Sequence, residues 1–324
     1  MKVDVLDLFS GCGGFSLGLS QAGFEIQNHY FSEIDKYAIA NYKHNFKNSK
    51  YVGSVTDVSG IKADIVTFGS PCQDFSLAGK RKGMDGSRSS LILEAIRIIR
   101  ETRPSVFIWE NVKGSFSSNN SADFWGIIAA FADIGGYRLE WQLLNTSWFL
   151  PQNRERIYLV GHLAGRSEPG VFPIGENDKV FNRTQPKTTR GRKRVQTGTN
   201  RAKCLSHRMH KMGVDDNYVK VQPVLTPDRK EKRQNGRRFK EDGEPSFTLT
   251  IQDRHGVMID SQIRRLTEIE CERLQGFPDN WTKYGDFDGE TKEISKTQRY
   301  KMLGNAVTAK VVQAIGERLI KQMK

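Results

Sequence analysis

The feature of this chain that most constrains its fold is an alternation of short apolar runs with amphipathic stretches, sustained from the N-terminus to about Gly165. "VDVLDLF" runs into glycines, and "FSLGLSQAGF" then has helical spacing. "FEIQNHYFSEID" is strand-like with an acid at its end, and "YAIANYKHNF" is helical again. "ADIVTFGSPC" is a strand entering a loop, "LILEAIRIIRETRP" an amphipathic helix stopped by Pro104, and "SVFIWENV" a further strand. "RLEWQLLNTSWF" and "RERIYLVGHLA" extend the series. Strands separated by helices must be joined by crossovers, which makes neighbouring strands parallel. The expectation is a doubly wound α/β domain, with helices on both faces of a mostly parallel sheet.

Beyond Gly165, "GRSEPGVFPIGEND" is rich in turn formers, and the chain becomes basic with short β-like runs. Between Arg183 and Lys240 there are 18 Lys or Arg against 4 Asp or Glu, so this segment holds the whole net charge of +13. Charge concentrated in this way attracts polyanions, nucleic acid above all. The strand-like pieces "KVQPVLT" and "PSFTLTI" inside it favour a folded basic module over a solvated loop. The end, "NAVTAKVVQAIGERLIKQM", is amphipathic and is expected to return to the first domain. The cysteines Cys12, Cys72, Cys204 and Cys271 are too scattered for a disulfide framework, and "CLSHRMH" lacks a fourth ligand, so no metal is expected. No apolar run reaches the roughly 18 residues of a membrane span, and the N-terminus lacks a signal-peptide layout, which points to the cytoplasm.

In "DLFSGCGGFSLGL", Gly11, Gly13 and Gly14 let the backbone turn sharply and approach a ligand, with a helix N-terminus behind them. Glu33 closes the second strand, where a carboxylate grips ribose hydroxyls. Asp57, in "SVTDVSG", stands where it can receive an adenine amino group. This spacing fits a nucleoside cofactor without separating a dinucleotide from S-adenosylmethionine. Ligands of such folds bind beyond the carboxyl ends of the strands. Cys72, in "FGSPCQDFS", lies past one such end and Glu110, in "FIWENV", at another. A lone cysteine is more often a small buried hydrophobe. Arg154 and Arg156, in "PQNRERIYLV", are alternate residues on one face of an extended segment, a pattern equally compatible with a surface charge cluster.

Together the ordered motifs "DLFSGCGG", Glu33, Asp57, "GSPCQDFS", "ENV", "QNRER", "RRLTEIECERLQGFP" and "GNAV" resemble the DNA cytosine-5 methyltransferase family, of the bacterial and phage modification-enzyme type. The resemblance covers nearly all of the chain outside the basic segment. It implies a Rossmann-like S-adenosylmethionine-dependent methyltransferase domain over 1–164 and 296–324. A smaller, irregular β-rich target-recognition domain with its hinge would occupy 165–295. Cys72 would be the nucleophile, adding as thiolate to C6 of a flipped-out cytosine so that C5 can attack a methyl sulfonium. Glu110 would hold the cytosine N3 and exocyclic amine from a partly buried position. Arg154 and Arg156 would orient the base carbonyl, the carboxylate and the phosphates. Phe9 would stack on the adenine, and Pro71, Leu91 and Asn305 match further cofactor contacts. The loop "SLAGKRKGMDGSRSSL" would close over the base, with Ser76 on the DNA and Arg81, Lys82 and Arg88 near phosphates.

The resemblance also places target reading between "QNRER" and "RRLTEIE", the region that carries the excess positive charge. Gln252, Arg254 and His255 are expected at the bases, since Gln pairs with adenine and Arg with guanine. A phosphate contact is the competing role for Arg254. Arg237 and Arg238, in "DRKEKRQNGRRFK", would grip the backbone. The implied partners are double-stranded DNA and, for a modification enzyme, a restriction endonuclease acting on the same site; the enzyme is expected to be a monomer. An RNA cytosine-5 methyltransferase usually has a leaner recognition module. Intact Cys72, Glu110 and glycine turn argue against a catalytically silent DNA binder. A nicotinamide dehydrogenase explains Glu33 but not "SPCQ", "ENV" or the basic segment.

Overall fold

The computed structural model describes residues 1–70, 91–113, 122–175, 221–228, 237–251, 253–259 and 262–324. Pro71, Cys72, Ser76, Arg81, Lys82, Arg88 and Gln252 lie outside the described residues.

The apolar runs form a seven-stranded sheet. β1 (Lys2–Leu8) is flanked in parallel by β2 (Glu25–Ser32) and β4 (Ile65–Gly69). β3 (Ser49–Tyr51) continues the sheet beyond β2, and β5 (Val106–Val112) beyond β4. β7 (Glu155–Leu163) then pairs antiparallel with β5, and β6 (Tyr137–Asn145) closes the edge against β7. The chain winds outward from β1 in one direction and then from β4 in the other. Such a reversal opens a crevice beyond the carboxyl ends of the two central strands.

Strand residues alternate between two apolar layers. On one face Phe107 and Trp109 of β5 meet Phe131 of α4 (Ala122–Ala132), together with Ile92, Ile96 and Ile99 of α3 (Leu91–Thr102). On the outer side of α3, Arg97 bridges Glu94 and Glu101 at i,i+3 and i,i+4 spacing. On the other face Val5, Ile65 and Ile108 meet α1 (Gly14–Gln21) and α7 (Ala309–Leu319). α1 and α7 approach almost to backbone contact. A Cβ on Gly18 would lie 2.5 Å from Val312 Cβ, and one on Gly316 would lie 2.6 Å from Ala22 Cβ. The C-terminal amphipathic stretch forms one helix, α7, which starts after Thr308; its first residue, Asn305, ends the preceding helix α6 (Lys296–Asn305).

Residues 266–295 also pack on this layer. α2 (Lys36–Asn45) carries β11 (Tyr284–Phe287), which pairs with β12 (Glu290–Glu293). Asn41 Nδ2 donates to Trp281 O and Tyr284 O, both at 2.8 Å, and Trp281 Nε1 donates to Cys12 O at 2.8 Å. α5 (Glu268–Gln275) starts at a Thr267–Glu270 capping box and stops at Gly276, whose φ of 79° suits glycine. Its Cys271 and Leu274 join Cys12, Leu17 and Ala38 in a third apolar cluster. β8 (Val221–Leu225), from the basic segment, forms a three-stranded antiparallel sheet with β9 (His255–Ile259) and β10 (Gln262–Arg265). Among the described residues no helix is long and apolar enough to cross a membrane.

A buried ion pair locks α5 to α6. Glu272 accepts from Arg299 Nη2 at 3.0 Å, Asn280 N at 2.7 Å and Thr282 N at 2.8 Å. Replacing Glu272 with Ala leaves a buried guanidinium uncompensated. The Glu272→Ala variant is expected to lose about 3–5 kcal/mol of stability, read as a shift of the urea midpoint.

Candidate active site

The crevice at the ends of β1 and β2 is shaped by the turn Phe9–Gly14. Phe9 and Gly11 both adopt positive φ, 50° and 54°, and Gly13 follows at 86°. The three glycines divide by role. A Cβ on Gly13 would lie 2.4 Å from the Phe46 ring, and one on Gly14 would lie 2.5 Å from Val307 O. Those two permit close packing. Gly11 has no neighbour within 4 Å of its Cβ position, so it faces open space. Its N–H donates to Glu33 Oε2 at 2.9 Å, while Glu33 Oε1 accepts from Ile34 N and Asp35 N. Glu33 thus ties the end of β2 to the glycine turn. Asp57 is exposed in the turn after β3, where its carboxylate accepts from Ser54 N at 3.2 Å. Leu91 is half-buried at the start of α3, and Asn305 is exposed at the end of α6.

Ile34 was missed from sequence. It is an apolar side chain 81% exposed beside Glu33. A hydrophobic residue between two acids carries no helical or strand period that would mark it. A buried network under the turn was missed as well. Asp7 sits fully buried on β1, accepting from Thr67 Oγ1 at 2.8 Å, Ser16 Oγ at 3.0 Å and Tyr42 Oη at 3.1 Å. His29 Nε2 lies 2.7 Å from Tyr42 Oη and 2.9 Å from Ser16 Oγ. Burial pushes the Asp7 carboxyl up to about 7 and holds the His29 imidazole down at about 4. The available signal was an acid inside an otherwise apolar strand, "VLDLF".

At the end of β5, Glu110 is buried, 8% exposed, beside the last residue of β4. Arg156 Nε approaches its Oε1 to 3.2 Å. This contact is an ion pair without hydrogen-bond alignment, so Oε1 is a buried acceptor with no donor among the described residues. Arg154 does not share that role. It is 3% exposed, and its guanidinium donates to Leu249 O at 3.1 Å, Gly304 O at 3.4 Å and Ala306 O at 2.9 Å. Desolvation, helped by Arg156, lowers its pKa to about 10. The two alternate arginines therefore diverge: one faces the carboxylate, the other braces backbone.

Just before β9, Arg254 is exposed and bonds Asp228 at 2.5 Å. Arg237 pairs with Glu244 at 2.8 Å, and Arg238 lies over the Phe239 ring. His255, expected at the bases, is 7% exposed instead. Its Nε2 accepts from Thr250 N at 3.3 Å and closes the loop from within, and burial draws its pKa down to about 4. Cys12 and Cys271 are free and buried, with burial pushing both thiols up to about 12. Neither is a poised nucleophile. No cluster of His, Cys, Asp or Glu among the described residues is arranged to hold a metal.

This architecture matches known methyltransferase structures. The Schizosaccharomyces pombe Dnmt2 methyltransferase superposes with a TM-score of 0.62 at 20% identity, over 98% of both chains. The Entamoeba histolytica methyltransferase EhMeth superposes with a TM-score of 0.58 at 18% identity, over 99% of this chain and 98% of that one. The family model for the C-5 cytosine-specific DNA methylases matches residues 3–321. The orphan methyltransferase M.SPRI of Bacillus phage SPR is 30% identical over 98% of both chains. The type II methyltransferase M1.ScrFI of Lactococcus lactis subsp. cremoris is 30% identical, over 100% of this chain and 79% of its own length. The chain belongs to the C-5 cytosine-specific DNA methylase family, and the enzyme methylates cytosine in DNA.

The folded state favours a protonated Asp7, whereas the unfolded chain ionises at the ordinary 3.8. The wild type is therefore expected to lose stability relative to Asp7→Asn as pH rises from 3.8 toward about 7. Urea melts of both proteins across that window check it; a constant difference would exclude burial as the cause.

Proposed function

We propose that this enzyme transfers the methyl group of S-adenosylmethionine to carbon 5 of a cytosine flipped out of duplex DNA, within one short sequence, through a covalent Cys72 adduct. The observation that carries this reading is the buried, donor-free Glu110 Oε1 beside Arg156 at the carboxyl end of β5. An acceptor of that kind is costly unless something donates to it. The cytosine exocyclic amine is such a donor.

The residues at the end of β1 fit a nucleoside cofactor. Gly11 leaves its Cβ position open, and Ser10 Oγ is buried without a partner among the described residues. Glu33 is held on the rim for ribose hydroxyls, with Phe9 and Ile34 as apolar walls and Asp57 for the adenine amine. Pro71, Leu91 and Asn305 complete the set, with Gly13 and Gly14 shaping its floor. The bound cofactor supplies an electrophilic methyl group on a sulfonium.

Cys72 follows the last residue of β4 by three positions. Its thiolate attacks cytosine C6 and forms a C–S bond, which makes C5 nucleophilic. Glu110 accepts from the exocyclic amine and holds a proton at N3 as charge develops there. Arg156 keeps Glu110 oriented and offers its remaining N–H groups to the base carbonyl. After methylation a base removes the C5 proton, the C–S bond breaks, and Cys72 leaves as thiolate. Ser76, Arg81, Lys82 and Arg88 hold the DNA over the site. The catalytic part is 1–164 with 296–324, and 165–295 supplies the target-reading part and the hinge, of which 266–295 packs on α1 and α2. Gln252 and Arg254 contact bases, while Arg237 and Arg238 grip phosphates, Arg237 exchanging Glu244 for one. One chain supplies both parts, so a monomer suffices, and intracellular DNA is its substrate.

Bisulfite sequencing of plasmid DNA from expressing cells is expected to show protected cytosines at one recurring short sequence, and none with Cys72→Ser. Turnover retained by Cys72→Ser would remove the nucleophile assignment. Glu110→Gln should lower kcat about 100-fold or more, with DNA affinity little changed. Arg254→Ala should relax selectivity; equal weakening on all sequences would make Arg254 a phosphate contact only.

A further inference from the structure

Two short segments far apart in sequence are zipped together beside the site. One is 151–154, between β6 and β7; the other is 246–249, which leads into the loop before β9. Ser246 N donates to Pro151 O at 2.8 Å, and Asn153 N returns a bond to Ser246 O at 2.8 Å. Thr248 Oγ1 donates to Asn153 O at 2.5 Å. The peptide groups of Leu249 are then held by side chains. Its N–H donates to Gln152 Oε1 at 3.1 Å, and its carbonyl accepts from Arg154 at 3.1 Å. Gln152 is fully buried, 0% exposed, and its Nε2 donates to Leu274 O at 2.9 Å, at the end of α5.

The chain alternation gives this zip a direction. Residues 152, 154 and 156 are alternate positions of one extended run. The first two grip Leu249, and the third meets Glu110. A shift of 246–249 therefore moves the same strand that orients the carboxylate. The loop 250–254 that follows carries Gln252 and Arg254, the proposed base readers. The Gln152 side chain bonds Leu249 N and Leu274 O, and so closes the link from both sides. No other side chain donates to Leu274 O or accepts from Leu249 N among the described residues.

We infer that Gln152 is a specificity-determining positioning residue: it holds the start of the target-reading loop in register with the Glu110–Arg156 pair, so that correct seating on the target sequence aligns the cytosine pocket. The inference rests on the proposed methyl transfer to a specific DNA sequence. Loss of the amide frees a loop that then tolerates wrong sequences while serving the right one less well. A residue that only stabilised the fold would lower activity on all sequences alike.

The test is Gln152→Met, similar in length but with neither donor nor strong acceptor. Its kcat/KM on the preferred site is expected to fall about tenfold, and the preferred-to-single-mismatch ratio to fall about tenfold as well, from the loss of two buried hydrogen bonds. S-adenosylmethionine affinity should change less than twofold, because the glycine turn is untouched. Thr248→Val, which removes one peripheral bond, should move the ratio in the same direction by less. An unchanged ratio in both variants overturns the inference, whatever happens to activity. Hydrogen exchange on the free protein reads the same link without turnover. Gln152→Met should speed exchange over 246–251 and leave 1–45 unaffected. Unaltered exchange at 246–251 would also overturn the inference. If the wild type methylates no DNA, the proposed function fails, and the exchange result still decides whether the link exists.

Discussion

One buried guanidinium holds the described structure together around the site. Arg154 is removed from water, where an isolated cation would be strongly disfavoured, and it is kept there by three backbone carbonyls. Two of these, on Gly304 and Ala306, belong to the last turn of α6 and its exit, where helix carbonyls lack intrahelical partners. A cation at a helix C-terminus also meets the negative end of the helix dipole. The third carbonyl, Leu249 O, belongs to the lead of the loop before β9. With a pKa of about 10 the group stays charged at neutral pH, so all these bonds are charge-assisted.

The same principle recurs where 266–308 meets the sheet. Gln275 Nε2 donates to Leu303 O at 2.8 Å, and its Oε1 accepts from Thr308 Oγ1 at 2.9 Å, which lies 3.1 Å from Thr146 Oγ1. Lys301 reaches Asp35, the residue that caps α2, at 2.6 Å. Apolar contact alone does not specify register, whereas buried polar groups lose a partner when they slip. Close approach without side chains does similar work: a Cβ on Gly304 would lie 2.8 Å from Thr250 C. These links place the glycine turn, Glu110 and the loop before β9 in one fixed frame.

Much of the candidate site was legible because its residues lie at strand ends. The positions of Glu33 and Glu110 follow from where the apolar runs stop, and the runs are easy to see. The glycine turn was legible as a turn, but not the division of labour within it. Gly11 faces open space while Gly13 and Gly14 accommodate Phe46 and Val307, residues far from them in the chain or across the fold. His255 misled for a related reason. Beside Arg254 in an exposed-looking loop it reads as a contact residue, yet Thr250 N needs an acceptor and the imidazole turns inward to provide it.

By itself, the sequence determined the α/β class, the order of the strands along the chain, the candidate nucleophile and carboxylate, and the location of the positive charge. Each depends on local periodicity or on residues adjacent in the chain. Tertiary structure alone decided the strand order across the sheet, the burial of Asp7 among hydroxyls, the packing of 266–295 on α1 and α2, and the separate duties of Arg154 and Arg156. The arginines have the same chemistry and alternate on one segment. What separates them is which long-range partners, a helix end or a carboxylate, the fold brings within hydrogen-bonding reach.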